Sequence, residues 1–204
     1  MKTAIGDLER FFYTQDALPP LVKIALIHAQ FETIHPFLDG NGRMGRLLVT
    51  FWLYNQRILS RPLLYLSAYF KKYRQEYYDR LMSVRQAGDW EGWIRFFLTG
   101  LASVADEAVA AAERIITLQK EDEKKLGGLR NGRQHAQRLL ELLFQSPVLT
   151  RKTISQKLGI SHPTASALVN GFCQAGILEA CGTGRRDVAF RYSAYLAILE
   201  EGTK

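Results

Sequence analysis

A chain of 204 residues with 47% hydrophobic and 23% charged residues can bury one large core or two small ones. Two cysteines exclude a disulfide scaffold and a cysteine metal site, and no apolar run reaches bilayer length. The formal net charge of +7 is spread over the chain, which fits anionic partners such as nucleotides or nucleic acid without requiring them.

The first part of the chain reads as helices. Acids arrive too early in "MKTAIGDLERFFYTQ" for a secretory signal, so the expected compartment is the cytoplasm, with no membrane partner. In residues 18–34, "LPPLVKIALIHAQFETI", apolar positions recur at helical spacing, and Pro19 and Pro20 suit the opening turn. Residues 43–59, "RMGRLLVTFWLYNQRIL", predict a helix that is apolar on almost every side and therefore central. The helical pattern continues through 67–89 and 90–126. Glycines and charges without an apolar stripe then mark 124–134 as a linker.

Beyond it the texture changes. Short helices are expected at 135–147, 150–160 and 161–178, followed within 178–195 by two short strands around a Gly-rich tip.

The loop between the second and third helices, "HPFLDGNGRMGR" at 35–46, carries more ionisable chemistry than a turn needs. Singly, each residue has an ordinary explanation: a capping His35, a turn-favouring Asp39, glycines with left-handed angles, surface arginines. Together they form an anion site. Gly40 and Gly42 lack the Cβ atoms that would keep a ligand from the backbone. A helix starting near Arg43 presents free N–H groups and the positive end of its dipole. Arg43 and Arg46, three apart, share one face and can reach phosphate oxygens. Asp39 can hold a magnesium ion, which takes only one or two protein carboxylates. His35 can accept a proton near neutral pH and so activate a hydroxyl.

This stretch resembles the Fic signature, H-x-F-x-[D/E]-G-N-G-R-x-x-R, at every fixed position. The likeness extends over the flanking helices, from about residue 18 to 100. It implies a mainly α fold, a helical Fic-type core followed by a further domain. It also implies a protein adenylyltransferase that moves AMP from ATP, with Mg2+, onto a Ser, Thr or Tyr hydroxyl of a target protein. By position, His35 is then the catalytic base and Phe37 a buried anchor of the loop. Asp39 ligates magnesium, and Asn41 with the Gly40 and Gly42 backbone cradles the α- and β-phosphates. Arg43 contacts the β-phosphate region and Arg46 the terminal phosphate. Tyr77 and Tyr78 resemble a pair lining the adenosine pocket, with Arg85 nearby; core packing is the alternative for both. Phosphate-transferring relatives of the Doc type carry lysine near the second glycine, where this chain has Gly42 followed by Arg43, so nucleotidyl transfer is expected.

Two departures accompany the likeness. Fic enzymes place a β-hairpin flap before the helix that here begins at Met1, so a truncated domain without the flap is expected. An inhibitory helix of pattern [S/T]-x-x-x-E-[G/N] is also missing; "SVADEA" at 103–108 comes nearest. The expected organisation is a Fic-type catalytic domain at 1–123, the linker at 124–134, and a domain at 135–204.

That last domain resembles a winged helix-turn-helix with a β-hairpin wing. Gly159 sits in its turn, Ser161 caps the third helix, and Pro163 occupies the first turn. Leu168, Val169 and Phe172 face inward, leaving His162, Thr164, Ser166 and Asn170 outward. The third helix holds no Lys or Arg, the side chains that supply most phosphate and guanine contacts. Arg185 and Arg186 at the tip, with Arg151, Lys152 and Lys157, are the compensating charges. Contact with DNA and contact with protein, including a homodimer, both remain open. The alternative function is therefore a DNA-binding transcriptional regulator whose Fic part only binds nucleotide.

Overall fold

Pro20 opens α2 (Pro20–Ile34) in its first turn, where a missing N–H costs nothing, and the helix is buried along most of its length. Ile24, Ala25, Ile27 and Ala29 are wholly enclosed, and even Lys23, His28 and Glu32 are buried. The computed structural model describes residues 2–15, 17–60, 65–127, 133–182 and 188–201. Two units are present, Met1–Ala108 and Val109–Lys204.

In the first unit, α1 (Lys2–Tyr13) buries Leu8 against α2. Next come α3 (Asn41–Asn55), α4 (Leu66–Lys72), α5 (Arg74–Ala87) and the first part of α6 (Trp90–Leu126). The pattern expected as one helix over 67–89 breaks at Tyr73, whose backbone leaves helical angles between α4 and α5. The expectation that the third helix is central does not hold. Val49, Trp52 and Leu53 of α3 are buried, but Met44, Leu47, Phe51 and Tyr54 face solvent. Helix α2 is the more enclosed of the two, with Gln30 and Thr33 exposed, and its alanines and β-branched residues let neighbours approach closely. Trp93 of α6 donates its indole N–H to the Ala25 carbonyl at 2.8 Å, tying α6 to α2 through a fully buried ring.

In the second unit α6 ends at Leu126 and is followed by α7 (Arg133–Gln145), β1 (Val148–Thr150), α8 (Arg151–Leu158) and α9 (His162–Gln174). Then come β2 (Glu179–Cys181), β3 (Ala189–Arg191) and α10 (Ser193–Glu201). Helix covers 124–126 and 133–134, the two ends of the segment expected as a linker, because Leu126 is buried in the second core. The intervening 128–132 lie outside the described residues, as do the Gly-rich tip at 183–187 and with it Arg185 and Arg186.

The strands form an antiparallel sheet of order β1-β3-β2, with Phe190 opposite both Leu149 and Ala180. Strand β1 and helix α10 had no counterpart in the sequence reading. The caps did: Ser161 Oγ accepts the Thr164 N–H at 3.3 Å, and Gly159 ends α8 with a left-handed φ of 66°. Val169 and Phe172 of α9 are fully buried with Leu139, Leu143, Ile154 and Tyr192. Asp122, near the end of α6, is buried too. It accepts from the Tyr192 hydroxyl and pairs with Lys125 at 2.6 Å. Among the described residues no helix is long and apolar enough to cross a membrane.

Candidate functional site

The loop at 35–46 is closed by its own residues. Helix α2 stops at His35, whose backbone turns left-handed (φ 50°, ψ 59°) while its N–H still donates to the Phe31 carbonyl at 3.0 Å. Pro36 follows and cannot extend the helix. Arg85 of α5 secures this end: its Nη2 donates to the Glu32 carbonyl at 2.7 Å and its Nε to Thr33 Oγ1 at 3.2 Å. His35 is thus left exposed at the end of a pinned turn.

Asn41 staples the other side. Its Oδ1 accepts the Phe37 N–H at 2.8 Å and its Nδ2 donates to the Phe37 carbonyl at 2.5 Å. Only 2% of Asn41 is exposed, so its amide is occupied by the loop, and a ligand would meet its backbone N–H instead. Phe37 is not the buried anchor expected of it: the side chain is 47% exposed, its ring 6.4 Å from Phe31. Its backbone is the anchor.

Gly40, at a φ of 83°, sits where a side chain would be strained, and its N–H donates to Asp39 Oδ1 at 2.7 Å. The first α3 bond runs from the Met44 N–H to the Gly40 carbonyl at 3.0 Å. The N–H groups of Asn41, Gly42 and Arg43 precede that bond, so they are the unfilled donors of the helix start. Asp39 and Arg43 are strongly exposed and 3.5 Å apart, a surface pair worth little in water.

Arg46, one turn further, is fixed more firmly. Its Nε donates to Ser67 Oγ of α4 at 2.9 Å. A Cβ at Gly42 would lie 3.1 Å from Arg46 Nη1 and 3.9 Å from Glu32 Oε1, so guanidinium and carboxylate both approach that glycine. Glu32 Oε1 is buried without a hydrogen-bond partner. Burial raises the proton affinity of this carboxyl, and the charges of His35, Arg46 and Arg85, with the Tyr77 hydroxyl, oppose the rise.

Beneath the loop lies an aromatic cluster around His28. Its ring stacks on Trp93 at 5.9 Å and Phe70 at 5.6 Å, and Nε2 is 3.0 Å from the Tyr77 hydroxyl. Complete burial depresses its proton affinity to a pKa of about 4, so it is neutral at pH 7. Tyr77 is therefore part of the core, its hydroxyl held by burial well above the usual phenol range. Tyr78, 54% exposed and edge-on to Tyr77 at 5.3 Å, is the member of the pair that a ligand can reach.

The fold thus gathers His35, Asp39, Gly40, Asn41, Gly42, Arg43 and Arg46 on one loop and helix start, with Tyr77 behind. Sequence reading missed Glu32, His28 and Ser67. Glu32 could have been found as a lone acid in an apolar helix, three residues before His35. Ser67 carried no signal, because its link to Arg46 spans 21 residues and exists only in the fold.

Residues 1–53 match the family model of the Fic/DOC family. A Fido domain-containing protein of Dictyostelium discoideum is 42% identical over 57 residues, 26% of this chain and 39% of that protein. These matches support a Fic-family domain. The crystal structure of a Fic family protein from Desulfovibrio desulfuricans G20 covers 94% of this chain and 54% of that one. Its TM-score is 0.51 and its sequence identity 24%, a likeness of fold. The chain spans 39% of the curated relative's length and about half of that of the solved Fic protein. The Fic match ends at residue 53 and so contains the whole of the 35–46 loop.

Proposed function

We infer that the Fic domain is a protein adenylyltransferase, moving AMP from ATP to a Ser, Thr or Tyr hydroxyl of a target protein. The observation that carries this reading is the Asn41 staple, which holds the loop in shape so that three backbone N–H groups converge at the start of a 15-residue helix. Preorganised donors aimed at developing charge are what phosphoryl chemistry requires.

In the proposed reaction the target hydroxyl oxygen forms a bond to the α-phosphorus. The bond from that phosphorus to the bridging oxygen breaks, and pyrophosphate leaves with the electron pair. His35 takes the hydroxyl proton on a ring nitrogen. The Asn41, Gly42 and Arg43 N–H groups hold phosphate oxygens, while Arg43 and Arg46 add charge beside them. Asp39 suits magnesium. Its carboxylate is exposed and held only by Gly40 and a weak pair with Arg43. No cluster of three or more potential ligands is found among the described residues, and one carboxylate beside phosphates is the usual magnesium donor set. Asp39 would hold the ion, which would offset the negative charge of the nucleotide phosphates. Tyr78 is the ring available to the base.

The test is intact-mass measurement of candidate targets, and of the protein itself, after incubation with ATP and magnesium. An AMP adduct is expected, and His35→Ala should slow its formation by ~10²–10⁴-fold. Labelling in that variant above about a tenth of the wild-type rate sinks the assignment.

A second reading concerns the second unit, taken as a winged helix that contacts DNA. It is favoured by Arg151, which lies 4.4 Å above the Phe190 ring and donates to Asn170 on the exposed face of α9 at 3.1 Å. Against it stands the absence of Lys and Arg from α9 itself. Binding to duplex DNA that weakens steeply with added salt supports this reading; a flat response ends it.

A further inference from the structure

The geometry points to Ser67 as a positioning residue that aims the Arg46 guanidinium at the terminal phosphates of the nucleotide. This rests on the phosphate role proposed above for Arg46. An arginine on a helix surface samples many rotamers, and one that must meet a phosphate gains from having them restricted beforehand. Ser67 does this from a fixed point. Its helix, α4, is anchored in the first core by Leu66 and Phe70, which are 1% and 4% exposed.

The hydroxyl accepts specifically from Nε, at 2.9 Å. That bond engages Nε with the serine and leaves the two terminal nitrogens, which can grip an oxyanion as a fork, for a ligand. One of them, Nη1, lies against Gly42, where a Cβ would meet it at 3.1 Å, so the fork rests beside the free N–H groups of the α3 start. Glu32 Oε1, buried without a hydrogen-bond partner, approaches the same glycine at 3.9 Å from where a Cβ would lie, and the nearby Arg46 charge opposes the burial that raises its proton affinity. Ser67 on α4 and Glu32 on α2 therefore seat the arginine from two elements outside the loop.

Calorimetric titration of the whole chain with magnesium-ATP and, separately, with AMP tests this. Ser67→Ala should weaken ATP binding about five- to tenfold and leave AMP binding within about twofold, because AMP lacks the phosphates that Arg46 would reach. Ser67→Thr, which keeps the hydroxyl, should restore ATP binding. In an Arg46→Ala background the Ser67→Ala change should have no further effect, since neither residue then has the other to act on. Ser67→Cys, a weak acceptor of similar size, repeats the measurement if the alanine variant is poorly folded. Equal losses for ATP and AMP, no loss for either, or full additivity with Arg46→Ala would each overturn the assignment. Failure of the wild-type protein to bind ATP overturns the nucleotide reading as well, so the two failures are distinct.

Discussion

His28 is the clearest case of a single residue whose chemistry the fold has changed. Its ring is enclosed by Phe70, Tyr77, Trp93 and Phe97, and burial lowers its pKa from 6.5 to about 4. A depressed folded value means that the unfolded chain binds the proton first. The stability due to neutral His28 is fully present above pH 6.5 and is lost as the pH falls through about 4. The loss amounts to roughly 3 kcal/mol. Glu32, raised from 4.5 by burial, acts in the opposite sense: its contribution is present at low pH and fades as the pH rises through its folded value. Urea unfolding at several pH values, comparing wild type with His28→Leu, separates them. The variant should show a clearly flatter decline between pH 6.5 and 4, and parallel declines would contradict the account. None of this could be read from the sequence, where His28 is one polar residue in an apolar helix. His35 stands out in the sequence only through its company: alone it reads as a capping histidine, and it is the Asp39, Gly40, Gly42, Arg43 and Arg46 beside it that single it out.

At the scale of elements, the helices with strong local signals were legible. Pro20 opens α2, Ser161 and Gly159 bound α9 and α8, and the two glycines announce the start of α3. What failed was the expectation that α3 is central, because hydrophobic content does not tell which apolar faces find a partner. The three-residue β1 was also missed, since so short a strand exists only by pairing Leu149 with Phe190, 41 residues along the chain. The Asp122–Tyr192 hydrogen bond is another long-range feature, joining the end of α6 to the residue that follows β3. Tyr192→Phe deprives a buried carboxylate of its donor, and should cost about 1–3 kcal/mol in urea unfolding. Asp122 keeps Lys125, so the variant should still fold; a change within ±0.3 kcal/mol would show that the bond contributes nothing.

For the whole molecule, the chain builds two separate hydrophobic cores. Trp52, Trp90 and Trp93 all lie in Met1–Ala108, and none lies in Val109–Lys204. Tryptophan fluorescence therefore reports on the first unit alone, whereas far-ultraviolet circular dichroism reports helix in both. If the two cores differ in stability, urea curves from the two probes should separate, and this is the expected outcome given that one core is rich in aromatic rings and the other mostly aliphatic. Coincident curves would indicate one cooperative unit. In the sequence the change of texture comes around residue 126, whereas the two units divide between Ala108 and Val109, inside α6.

The Asn41 staple also has a kinetic meaning. A visitor that meets a receptacle already shaped need not wait for the chain to arrange itself, so stopped-flow traces should give an observed rate that climbs linearly with nucleotide concentration. Asn41→Ala, though it removes no atom that the visitor touches, should insert a waiting step, seen as a plateau at high concentration. Linear behaviour in both proteins would mean that the amide shapes nothing that matters to arrival.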